Sequence, residues 1–165
     1  MAALRSLTFK DWDDVERDLQ QLLQGYEQQG NWNLAQMALH LNDWLRFPMD
    51  GFPSSPWFMR FLFASLRATM GKKLLQKTLK QGFAAGNPTH PATVHAQAEA
   101  GDAEAVARLR QTIGRFRQFT GEIHPSPLFG TMDHRTAEQL QLLHAAHHLR
   151  FLKPIPEDAE ARPGR

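Results

Sequence analysis

Histidine is the residue type in this sequence best suited to chemistry, and two of its eight histidines are spaced to share one ligand. His144 and His148 lie four residues apart in the segment HAAHH, so on a helix both imidazoles project from the same face. Neutral imidazole is a common ligand for divalent transition metals. The spacing therefore favours a metal site, although it is also compatible with two hydrogen-bonded core histidines.

A third ligand is expected on another helix. Over residues 32–47, the spacing of the apolar residues places His40 on the inward face of a helix. Gln36 is at the edge of that face and is predicted to lie around the ligands or at the mouth of the site. Burying an imidazole without a partner costs about 1–3 kcal/mol, so a shared ion would explain three inward-facing histidines. Three imidazoles leave coordination positions open, which is typical of reactive sites rather than of closed structural zinc sites.

The remaining histidines are assigned other positions. His147 leaves the helix about 100° away from His148, so it is predicted to pack near the site without coordinating the ion. His124, in a loop His-Pro, is predicted either to line the mouth of the site or to form a turn. The predicted loop or helix-start histidines are His90, His95 and His134.

Amphipathic helices are expected to position these histidines, because apolar residues recur at three- and four-residue steps. The predicted helices span residues 9–29, 32–47, 102–119 and 134–152. Their predicted N-caps are Thr8, Asn31, Asp102 and Asp133. A further helical stretch is predicted over 57–80, interrupted near Gly71, and the glycine- and proline-containing segment 81–100 is predicted to be a loop.

Together these elements predict an all-α fold, a four-helix bundle with a long helical crossover between bundle helices 2 and 3. Residues 1–153 are assigned to this domain and residues 154–165 to a flexible polar C-terminal tail. One core cannot cover Leu142 and Leu149 on the outer side of the last helix together with the apolar stretch 57–70. The crossover is expected to cover this surplus. A second subunit is the alternative, so the protein is expected to be a monomer or a homodimer.

Composition limits the location of the protein. There is no cysteine, which excludes disulfides and thiolate ligands and fits a reducing compartment. The first residues contain no apolar run of signal-peptide length, and the most apolar stretch is too short and too charged to span a bilayer. A cytoplasmic location away from the membrane is therefore expected.

Charge limits the partners. The formal net charge is only +2, and no basic motif interleaved with aromatic residues is present, so nucleic acid is an unlikely partner. The segment between Asp50 and Glu99 contains six basic residues and no acidic one. This segment is predicted to form either a solvated helix face or a surface that attracts anions.

Three segments give the sequence a family resemblance that covers nearly the whole chain. They are NWNLAQMALHL at 31–41, MGKKLLQKTLKQG at 70–82 and HPSPLFGTMDHRTAEQLQLLHAAHHLRFL at 124–152. The sequence resembles the DinB superfamily of bacterial metal-binding four-helix bundles, and more narrowly a DinB-like family of unknown function. The resemblance places the metal ligands on the same three histidines. The sequence departs from the family pattern at Ala137 and Glu138, where a tryptophan is frequent, and at Phe151, where a glutamine is common.

The resemblance also implies a class of function. Some members of the superfamily are transferases or isomerases that depend on low-molecular-weight thiols, so a metal-dependent transferase acting on a small molecule is expected. The basic segment between Asp50 and Glu99 would suit an anionic thiol or substrate. Zinc, nickel, iron and manganese all accept imidazole ligands. A hydrolase would need a carboxylate beside a metal-bound water, and Asp43, about 60° from His40 on its helix, is the nearest candidate. A metal-dependent hydrolase and a non-enzymatic metal-binding bundle are the alternatives.

Overall fold

The computed structural model describes residues 4–54, 56–83, 93–95 and 100–156. Within these ranges the chain is mostly helical. The five helices are α1 (Trp12–Gln24), α2 (Leu34–Asp50), α3 (Trp57–Gln81), α4 (Asp102–Arg117) and α5 (His134–Leu149). Two short strands, β1 (Tyr26–Gln28) and β2 (Leu152–Pro154), pair antiparallel. None of the helices formed by the described residues combines the length and apolar content needed to cross a membrane.

The core lies where α1, α2, α4 and α5 meet. α2 packs most extensively against α4 and also contacts α5, while α1 packs against both α4 and α5. The largest fully buried apolar side chains come from these helices and from β2: Phe116, Leu19, Leu22, Leu34, Leu45, Leu109, Leu149 and Leu152. The two helices that carry the three candidate ligands therefore contact each other at the core.

The first helix is shorter than its apolar pattern predicts. Asp11 rather than Thr8 caps it, because the Asp11 carboxylate accepts a hydrogen bond from the Asp14 N–H at 2.9 Å. The helix ends at Gly25, whose φ of 143° is strongly disfavoured for a residue with a side chain. The residues that follow form β1, so the prediction of a helix as far as residue 29 was wrong.

α2 begins and ends later than predicted. Its cap is Asn33 rather than Asn31, and Asn33 and Gln36 form a reciprocal capping box. The helix runs through Pro48, the residue predicted to stop it. Proline has no N–H to donate to the carbonyl of Trp44, four residues earlier, and that carbonyl instead accepts a hydrogen bond from Gln141 on α5 at 3.2 Å. This contact compensates for the proline and joins the two ligand-bearing helices.

Asp102 does not cap α4 as predicted, because Gly101 is the residue that precedes the helix. Its carboxylate instead serves the start of α2. Oδ1 accepts a hydrogen bond from the Ala35 N–H at 2.9 Å, and Oδ2 accepts one from the Tyr26 hydroxyl at 3.0 Å. The same hydroxyl accepts a hydrogen bond from the Leu34 N–H at 3.0 Å. These bonds satisfy two of the free N–H groups at the start of α2.

Replacing Asp102 with alanine should therefore lower the free energy of unfolding by about 1–3 kcal/mol, because the Ala35 N–H and the Tyr26 hydroxyl lose their acceptor. Urea unfolding followed by circular dichroism measures this change. The matched control is Asp13→Ala, which removes a largely exposed carboxylate from a surface ion pair with Arg117 and should cost less than about 0.5 kcal/mol. Equal losses in the two variants would contradict the assignment.

α3 runs without the interruption predicted near Gly71. The glycine instead permits a close approach of the loop before α5. A Cβ atom at Gly71 would lie 3.1 Å from the carbonyl oxygen of Leu128. Gly71 is thus a packing position rather than a break in the helix.

The predicted surplus of apolar surface is only partly covered. Leu142 and Leu149 on the outer side of α5 are buried within the single chain. By contrast, the first half of α3 leaves large apolar side chains exposed, with Trp57 80% and Phe61 73% accessible. The outer face of α5 is therefore covered without a second subunit, whereas the start of α3 is not covered by the described residues.

The chain after α5 also differs from the prediction. α5 begins after the predicted cap Asp133, whose side chain accepts a hydrogen bond from the Thr136 N–H at 2.8 Å, but it ends at Leu149 rather than at residue 152. Residues 152–154 form β2, so Pro154 belongs to the folded part. Ile155 also belongs to the folded part, because its N–H donates to the carbonyl of Gly25 at 3.0 Å, whereas residues 157–165 of the predicted tail lie outside the described residues. So do His90 and most of the predicted loop over 81–100.

Candidate metal centre

The three predicted ligands converge between α2 and α5. Nε2 of His144 lies 3.3 Å from Nε2 of His40 and 3.0 Å from Nε2 of His148. One ligand atom from each histidine lies within 4.8 Å of the other two. Nitrogens bound at 2.0–2.1 Å to one ion are about 3.3 Å apart in a tetrahedral shell and about 3.0 Å apart in an octahedral one. The two short separations match these edges, so the residues present fit a metal ion.

Helix geometry places each of these rings. His144 and His148 are one helical turn apart on α5 and project from the same face. His40 lies in the middle of α2, where its side chain is 1% exposed. Together they bring one imidazole from α2 against two from α5, as the helical wheel predicted.

A backbone hydrogen bond fixes the tautomer of His40. Its Nδ1 lies 3.0 Å from the carbonyl oxygen of Thr93, and a carbonyl can only accept. Nδ1 therefore carries the proton, and Nε2 presents a lone pair toward the other two histidines. Metal-bound histidines commonly use their second nitrogen in this way, to hold the ring in orientation.

Burial keeps the three imidazoles neutral, which is the form that binds metals. It lowers the pKa of His40 to about 4, against the opposing effect of the Thr93 hydrogen bond. Burial and the neighbouring His40 lower the pKa of His148 to about 2. Burial, followed by the neighbouring His148 and His40, holds the pKa of His144 well below its usual value. The cluster is thus ready to bind a cation at neutral pH.

Three aromatic side chains surround the cluster, and no sequence pattern predicts the position of two of them. Trp32 stacks on His148 with ring centroids 5.6 Å apart and an angle of 8° between the planes. Phe83 lies 5.1 Å from the ring of His144. Both precede or follow a helix, so helical periodicity could not place them. Trp44, on the predicted inward face of α2, contacts His144 edge-on at 5.4 Å.

A carboxylate–imidazole pair lies close to His40. Nε2 of His95 is 2.9 Å from Oδ2 of Asp43, and the backbone carbonyl of His95 accepts a hydrogen bond from the Gln36 side chain at 2.7 Å. Asp43 raises the pKa of His40 and His95 lowers it, so both lie within electrostatic range of the cluster. Gln36, predicted at the site, thus fastens the short segment 93–95. The sequence assigned His95 only to a loop.

The two other predicted site histidines take different positions. His147 stays outside the ligand group and lies beside Phe83, with ring centroids 6.1 Å apart. The exposed His124 is near the C-terminal end of α2, where its backbone N–H donates to the carbonyl of Pro48 and its ring lies beside Gly51. Pro48 is about 12 Å along the helix axis from His40, so His124 is not brought to the cluster. His134 starts α5 as predicted and stacks on Phe116.

Comparison with known proteins identifies a family without a known activity. A family model described as "Protein of unknown function (DUF1569)" matches residues 1–155, so the chain belongs to this family. No curated protein and no solved structure matches the chain. None of these comparisons matches the DinB superfamily, whose resemblance to the chain lies in the sequence motifs.

Proposed function

We propose that this protein is a metal-dependent enzyme of the DinB type, a four-helix bundle with a helical crossover that holds one divalent ion on His40, His144 and His148. The observation that supports it is the convergence of three Nε2 atoms at separations of 3.0 and 3.3 Å. Among the described residues, no other histidine and no carboxylate joins this group. Three ligands would leave coordination positions for a reactant.

The proposed activity is transfer of a low-molecular-weight thiol to an electrophilic small molecule. A divalent ion at this site would lower the pKa of a thiol that binds it. In the proposed reaction the sulfur bonds to an electrophilic carbon, a leaving group departs with its electron pair, and the thiol proton passes to solvent. The side chains contribute orientation and exclusion of water: Thr93 fixes His40, while Trp32 and Phe83 cover His148 and His144.

A metal-dependent hydrolase is the second candidate, favoured by the pair of Asp43 and His95. A carboxylate that orients an imidazole is a common arrangement for a general base. Asp43→Asn should reduce hydrolysis by about 10²–10⁴-fold if this pair activates water. A thiol transferase should keep most of its activity in the same variant, because a metal-bound thiol needs no separate base. The two candidates are thereby distinguished.

Protein purified without a histidine tag should contain about one equivalent of a divalent metal. After a chelator has removed that metal, cobalt(II) should bind in its place. Elemental analysis measures the first expectation and visible absorption the second. Adding a low-molecular-weight thiol should introduce a sulfur-to-cobalt charge-transfer band. A protein that binds no divalent ion would refute the proposed function, and a cobalt spectrum unchanged by thiols would refute the transferase.

A further inference from the structure

A cleft of about 760 Å³ lies beside the three-histidine cluster. It is bounded by the segment before α1, by the end of α3 and by the outer face of α5. Its cationic lining residues are Arg5, Lys10, Lys80, Arg135 and Arg150. Among the described residues that line it, Glu138 is the only carboxylate. The remaining walls include apolar side chains such as Leu79, Phe83 and Leu142.

Most of this positive charge is not neutralised by direct contact. Arg5 is compensated, because its guanidinium pairs with Asp18 at 2.6 and 3.0 Å. The other four cations form no ion pair within the part of the chain that the structure describes. The Asp14 carboxylate accepts a hydrogen bond from the Lys10 backbone N–H, but Asp14 and Asp133 act on the side-chain charges of Lys10 and Arg135 only through space. Cations collected in a cleft with apolar walls focus a positive potential, which attracts anions.

Two enclosed donors in the same wall also lack acceptors. Nε of Arg5 and Nε of Arg150 are buried, and neither has a hydrogen-bond partner among the residues that the structure describes. An unmet buried donor costs on the order of 1–3 kcal/mol, so proteins leave few of them. Arg5 already gives its terminal nitrogens to Asp18 and to the Leu149 carbonyl, so the guanidinium available to a ligand with acceptor oxygens is that of Arg150.

We propose that this cleft binds a small organic anion, a molecule with a carboxylate or phosphate group on an apolar body. Arginine matches both groups by bidentate hydrogen bonding, and the volume is that of an ordinary small-molecule site. Phe83 lines the cleft and also contacts His144, so a ligand there would lie next to the cluster. This last step rests on the proposed function: the cleft then binds the charged part of the substrate or of the thiol.

The test is calorimetric titration of chelator-treated protein with benzoate, phenyl phosphate and uncharged benzyl alcohol. Using metal-free protein separates the cleft from the metal site. The cleft variant is Lys80→Gln with Arg135→Gln, which removes two exposed lining cations. The matched control is Lys72→Gln with Lys77→Gln, which removes two exposed cations of α3 outside the cleft.

One or both anions should bind to the wild-type protein. The dissociation constant should be at least ten-fold higher for the cleft variant and within two-fold of the wild-type value for the control. The preferred anion identifies the charged group as carboxylate or phosphate. Equal weakening in both variants, equally tight binding of benzyl alcohol, or no binding at millimolar concentration would overturn the inference. These results test the cleft and not the proposed metal site. If His144→Ala loses metal binding but still binds the anion, the cleft proposal is supported independently of the metal site.

Discussion

Replacing His144 with alanine should abolish tight metal binding, raising the dissociation constant by at least about 100-fold. His144 is the ligand nearest to both of the others, at 3.3 Å from His40 and 3.0 Å from His148. Its loss leaves two imidazoles from different helices, which is insufficient for a tight site. Calorimetric titration of tag-free protein with zinc measures the change.

The matched control for this experiment is His147→Ala. His147 is a neighbouring, half-buried imidazole on the same helix, but it lies outside the ligand group. Its replacement should weaken zinc binding by less than about ten-fold, because it alters only packing near the site. If both variants lose binding equally, the ligand assignment is wrong. Because an alanine at a buried position could disturb folding, circular dichroism should be recorded for each variant, and His148→Gln provides a second ligand deletion at a more accessible position.

The metal-free protein should lose stability steeply as the pH falls below about 6.5, the pKa of a histidine in the unfolded chain. Burial lowers the pKa of His40 to about 4 and that of His148 to about 2, and it lowers that of His144 in the same direction. Between pH 6.5 and about 4 the unfolded chain therefore binds protons that the folded chain does not. Each histidine contributes up to about 1.4 kcal/mol per pH unit, or about 4 kcal/mol for the three.

Urea unfolding at several pH values in the presence of a chelator measures this slope. The lowered pKa values of Asp14, Asp50 and Asp133 cause stability to be lost mainly below their ordinary value of 3.8, so these three carboxylates contribute little to the slope above pH 4.5. His148→Gln should reduce the slope by about 1.4 kcal/mol per pH unit. Burial also lowers the pKa of His147, so this residue adds a contribution of the same sign to the slope of stability with pH. Constant stability from pH 6.5 to 4.5 would contradict neutral burial of the cluster.

Helical periodicity was sufficient to predict the main features of the site. The wheel placed His40 on the inward face of α2, and the four-residue spacing placed His144 and His148 together on α5. These conclusions depend only on the rise and twist of a helix, which every sequence with the right pattern shares. The existence of the helices and the convergence of three ligands could therefore be predicted without coordinates.

What the sequence could not supply depends on contacts between distant segments. Asp102 looked like a local cap, and only packing of α4 against α2 brings its carboxylate to the Ala35 N–H. Pro48 looked like a helix stop, and only Gln141 from α5 supplies the missing donor for the carbonyl of Trp44. His95 is likewise defined by Asp43, a partner on another segment. Such pairings have no local pattern, because either residue alone is compatible with many environments.

The order of the helices along the chain determines when the three-histidine cluster can form during protein synthesis. His40 is on α2, whereas the other two ligands are on α5, and 104 residues separate His40 from His144. At 5–20 residues per second, the ribosome needs about 5–20 s to make that interval. Throughout this time the nascent chain carries one ligand without the other two. An ion held by all three histidines would therefore bind after α5 has been synthesised, as a late step, and would not serve as a nucleus around which the first helices fold.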